Sequence, residues 1–131
     1  MAKGLAAALR EGRVEAHASS AVRPYLLAAL LESPEGPADR PALIVTADDR
    51  SARDLAADLH AFLAPRRVHL YPSRGTGYLS HVAPPPHLAG LRVAALDALT
   101  GAGARPVVVA SAIALAEAVP DPELRPDGIS L

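Results

Sequence analysis

Pro41-Ala42-Leu43-Ile44-Val45-Thr46-Ala47-Asp48, followed by Ser51-Ala52-Arg53-Asp54-Leu55-Ala56-Ala57-Asp58-Leu59-His60-Ala61-Phe62-Leu63-Ala64-Pro65, is the stretch that decides the fold class. Ala42–Thr46 is a continuous apolar run, as expected of a strand covered on both faces. In Ser51–Ala64 the residues Ala52, Leu55, Ala56, Leu59, Phe62 and Leu63 recur at helical spacing, so this segment is predicted to be a helix that turns those residues inward. Pro65 stops it.

The same alternation continues on either side. Downstream, Arg67–Tyr71 reads as a strand and Pro72–Pro86 as a long loop. Leu88–Leu99 reads as a helix with Leu88, Leu91, Ala95 and Leu99 inward. Pro106–Ala110 is a further strand and Ser111–Val119 a short helix capped by Ser111. Upstream, Arg13–His17 reads as a short strand. Val22–Leu31 reads as a helix with Val22, Leu26, Ala29 and Leu30 on one face. Ser19 and Ser20 offer it capping oxygens, and Pro24 is tolerated in its first turn. Residues 1–12 are expected to form a helical extension. Ser33–Arg40 is a loop, and Pro120–Leu131 trails into a possible strand at Ile129–Leu131, so the chain reads as the N-terminal piece of something longer. Strands of buried type alternating with helices imply an α/β fold in three layers. Its mostly parallel sheet has helices on both faces.

Composition bounds the function. The 131 residues are 50% apolar and 21% charged, which excludes wholesale disorder. There is no cysteine, which excludes a disulfide framework and any thiolate-held metal. A net charge of −1, with aromatics at 3% and no tryptophan, argues against a dedicated nucleic-acid binder. No stretch resembles a signal peptide or reaches the roughly eighteen apolar residues of a membrane span, so the expected location is cytoplasmic.

In a parallel sheet the ligand site lies at the carboxyl ends of the strands. The first strand–helix junction is His17-Ala18-Ser19-Ser20-Ala21-Val22-Arg23-Pro24. A phosphate loop needs glycines to let backbone N–H groups wrap the phosphates, a lysine, and a hydroxyl for magnesium. No glycine is present, Val22 or Arg23 takes the lysine position, and Pro24 deletes an N–H. Ser19, Ser20, Val22 and Arg23 therefore mark a degenerate phosphate loop, read here as a capped structural turn with no cofactor. Asp48-Asp49 suit a helix start better than a metal or ribose site. A phosphate-accepting receiver module is rejected because the only lysine is Lys3. His69, His81 and His87 contain no close ligand pair for zinc, and no serine sits in a nucleophile elbow. Arg66, Arg67 and Arg74 read as a small basic cluster on a solvated edge beside the long loop. No catalytic residue and no metal ligand is assigned.

The order of these segments resembles the N-terminal, UvrB-like module of transcription-repair coupling factors (Mfd). Pro41–Asp48 with Ala52–Phe62 looks like that module's second strand and helix. Val68-His69-Leu70-Tyr71-Pro72-Ser73-Arg74-Gly75-Thr76-Gly77-Tyr78 is similar to its strand and Trp-Glu-Thr-Leu-Pro-Tyr-like string. Thr76 and Tyr78 agree with that string. Arg74 and Gly75 replace the tryptophan and glutamate, Gly77 alone stands for the Leu-Pro, and Ala83-Pro84 stands at the later Ser-Pro. Leu91–Leu99 and Val107–Leu115 resemble the closing helix, strand and short helix. The resemblance spans residues 13–131. It implies a RecA-like, P-loop-NTPase-like subdomain over 13–120 with 121–131 leading into a following domain. The chain itself would be a scaffold without ATP or magnesium, while the parent is an ATP-dependent DNA translocase in DNA repair. Implied partners are the downstream domains of the same polypeptide and, through the parent, UvrA, RNA polymerase and DNA, but no membrane. The alternative is a small α/β protein binding a nucleotide or phosphate at Ser19–Arg23. A third reading is a free-standing partner-binding domain that uses the Pro72–Pro86 loop.

Overall fold

The computed structural model describes residues 2–34, 36–77, 80–101 and 105–119. The elements run α1 (Ala2–Glu11), α2 (Arg23–Glu32), β1 (Ala42–Thr46), α3 (Asp49–Leu63), β2 (Val68–Tyr71), α4 (Pro86–Thr100), β3 (Val107–Ser111) and α5 (Ala112–Ala116). The fold is α/β, with a small, open, three-stranded sheet in the order β1-β3-β2. Both pairings are parallel: Ala42 to Thr46 lie beside Val107 to Ser111, and Val68 to Tyr71 beside Val107 to Ala110.

Side chains alternate across a strand, so β3 feeds two cores. Val107 and Val109 face α3 and α2, where Ala28, Leu31, Ala52, Leu59 and Leu63 close over them. Val108 and Ala110 face the other way, against Tyr71, Ala95 and Leu96, and Ala114 of α5. All five residues of β3 are buried. In α3, Leu59 is fully buried, whereas Phe62 is 55% exposed and meets the Tyr25 ring edge-on at 6.1 Å. The N-terminal helix α1 packs on α2, and Arg10 donates to the Pro34 carbonyl at 2.6 Å.

Five expectations are corrected. Arg13–His17 alternates like a strand but pairs with no other strand among the described residues. In α2 the buried residues are Pro24, Ala28, Leu30 and Leu31, and Val22 is exposed, because the helix turns Ala28 and Leu31 toward α3. The α2 N-terminus is closed by backbone alone: the Val22 and Arg23 N–H groups both donate to the Ser19 carbonyl at 3.1 Å, and no side chain caps it. In α4, Leu91 and Leu99 are exposed, and Arg92 and Ala95 are the buried pair. Strand β1 departs from expectation as well, since Leu43 and Val45 are 54% and 51% exposed. It is an edge strand covered on the α3 face only. The predicted strand at Ile129–Leu131 lies outside the described residues.

Removing three carbons from the fully buried Leu59 leaves a cavity beneath the sheet. Leu59→Ala is expected to lower unfolding stability by about 2–5 kcal/mol. Phe62→Ala, at a half-exposed site, is expected to cost less than half as much, and urea denaturation midpoints of the two variants measure the contrast.

Candidate functional site at the carboxyl edge of the sheet

The carboxyl ends of β1, β2 and β3 gather Thr46, Ser73 and Ser111 with the two acids that open α3. Asp48 is the α3 N-cap, as its position before an amphipathic run predicts. Its Oδ1 accepts from the Ser51 N–H at 2.7 Å, which holds its carboxyl below the usual range. Asp49 points back at the sheet. Its Oδ1 accepts from the Ser111 hydroxyl at 2.5 Å and from the Ser73 N–H at 3.1 Å, and its Oδ2 accepts from the Ser73 hydroxyl. Partial burial opposes ionisation of Asp49. The Ser111 and Ser73 hydrogen bonds outweigh it, so its carboxyl titrates below the ordinary value of 3.8. Ser111 also caps α5, its oxygen accepting from the Ala114 N–H at 3.1 Å, as the sequence indicated.

A second knot forms on the α4 face. Arg92 lies over the Tyr71 ring, 4.3 Å from its centroid, and donates to the Pro72 carbonyl at 2.8 Å and to Glu117 Oε2 at 2.7 Å. The Arg74 N–H donates to both Glu117 oxygens at 3.0 Å. Gly75 follows with φ +69°, a conformation open to glycine, and a Cβ there would sit 3.0 Å from a Leu88 methyl. The Pro72–Pro86 loop therefore begins as an anchored segment.

These contacts decide what the edge can do chemically. Both oxygens of Asp49 and both of Glu117 already accept hydrogen bonds from the chain. The Thr46 hydroxyl donates to the Asp48 carbonyl at 2.9 Å. Ser73 and Ser111 each donate a hydroxyl hydrogen bond to the Asp49 carboxylate. Among the described residues no group of three or more His, Asp or Glu side chains is placed to hold a metal ion.

The degenerate phosphate-loop residues lie close by. Ser20 and Arg23 line a groove of about 980 Å³ along β1, together with Val45, Thr46 and Ser51. The groove's α3 wall carries Asp54 and Asp58, which oppose an anion. Val22 and Arg23 have their N–H groups on the Ser19 carbonyl and Pro24 has none, so this turn presents no wrap of donors.

Arg66, Arg67 and Arg74 do not form one cluster, because Arg66 and Arg67 precede β2 and Arg74 follows it. Nor is Arg66 solvated: its side chain is 15% exposed and donates to the carbonyls of Leu31, Arg40 and Arg105 and to Glu32. His69, near Arg67 at that opposite end, has its imidazole pKa pushed down by burial and then by the Arg67 charge. Sequence reading placed Arg66 on a solvated edge and missed Arg92. The available signal for Arg92 was an arginine inside the apolar run Leu88–Leu99.

No protein-family model matches the chain, and it has no match among curated proteins or solved structures. Among the described residues no helix is long and apolar enough to cross a membrane.

Because Asp49 titrates below its ordinary value in the folded state, it contributes stability above about pH 4. That stability is lost as pH falls through the folded value. Asp49→Asn is expected to be less stable than the parent at pH 7, by about 1–3 kcal/mol, and to lose less on acidification from pH 4 to pH 2. Thermal unfolding across that range measures both.

Proposed function

We propose that this chain is a non-catalytic scaffold and interaction module, corresponding to the N-terminal UvrB-like subdomain of a transcription-repair coupling factor. In this reading it acts in DNA repair through a parent ATP-driven translocase, and UvrA, RNA polymerase and DNA are partners of the parent. The observation that carries the proposal is the state of the carboxyl edge. The acids and hydroxyls nearest the strand ends are engaged with one another, and they tie the strands together rather than face a ligand. The Ser19–Pro24 turn adds support, since it lacks the glycines, the lysine and the donor array that phosphate binding needs. The order of strand, helix, long loop and closing helix supports the family assignment.

A second reading, nucleotide or phosphate binding at Ser19–Arg23, is favoured by one observation: Ser20 and Arg23 line the groove at the carboxyl end of β1. Thermal unfolding with Mg-ATP separates the two. A ligand of the native state at a hundred times its Kd adds about 2.7 kcal/mol, a shift of several degrees for a domain of this size. No shift is expected. A saturable rise in Tm that Arg23→Ala abolishes would establish the second reading instead.

A further inference from the structure

We draw no further inference here: the strongest candidate, the cavity of about 860 Å³ at the amino ends of β2 and β3 that Arg66, Arg67, His69 and Arg105 line, carries no anion site, because α2, α3 and α4 turn the negative ends of their dipoles toward that edge and Arg66 and Arg105 donate to backbone carbonyls there.

Discussion

The structure depends on β3. Among the described residues it is the one strand with a neighbour on each side, and it has no position facing water. Its odd-numbered valines close the core under α3 and its even-numbered residues close the core under α4, so one five-residue strand supplies both hydrophobic centres. Only small or β-branched apolar side chains satisfy that demand within a pleated sheet. Val107-Val108-Val109-Ala110 meets it, and Ser111 meets it at the end because Asp49 accepts a hydrogen bond from its hydroxyl.

Two ends of a short parallel sheet must be closed, and this chain closes them with ionised side chains. At the carboxyl edge Asp49 gathers Ser73 and Ser111, while Glu117 gathers Arg74 and Arg92. At the opposite edge the Arg66 guanidinium collects carbonyls from the end of α2 and from the segments that precede β1 and β3. A planar fork with five donors suits that task where an ammonium does not. Each knot joins segments far apart in sequence, and each leaves its charged group little capacity for outside ligands.

The parts of the fold that were legible in the sequence are those governed by local periodicity. The α3 helix, its Asp48 cap, the Ser111 cap and the strands at Ala42, Val68 and Val107 follow from spacing and cap chemistry. What was illegible depends on neighbours distant along the chain. Ala42–Thr46 and Val107–Ala110 are both apolar runs, and nothing local says that one is the edge and the other the centre. Arg13–His17 has a strand's alternation but pairs with no strand among the described residues. Nothing local marks Arg92 for burial, because its partners are Glu117, twenty-five residues later, and the Tyr71 ring. Asp49 read correctly as a helix-start acid, but its union with two serines needs all three strand ends in register.

The chemistry and the exposed surface of this chain follow from one arrangement. Among the described residues β1 and β2 lie on either side of β3, so the middle strand takes the burial. Polar groups at the strand ends are drawn inward, Asp49 to Ser73 and Ser111 and Arg92 to Glu117. On β1, Leu43 and Val45 stay half-exposed on the face opposite α3. At the carboxyl edge the groups that end β2 and β3 are held by the acid that opens α3, so polar pairing there and apolar burial along β3 fasten the same segments.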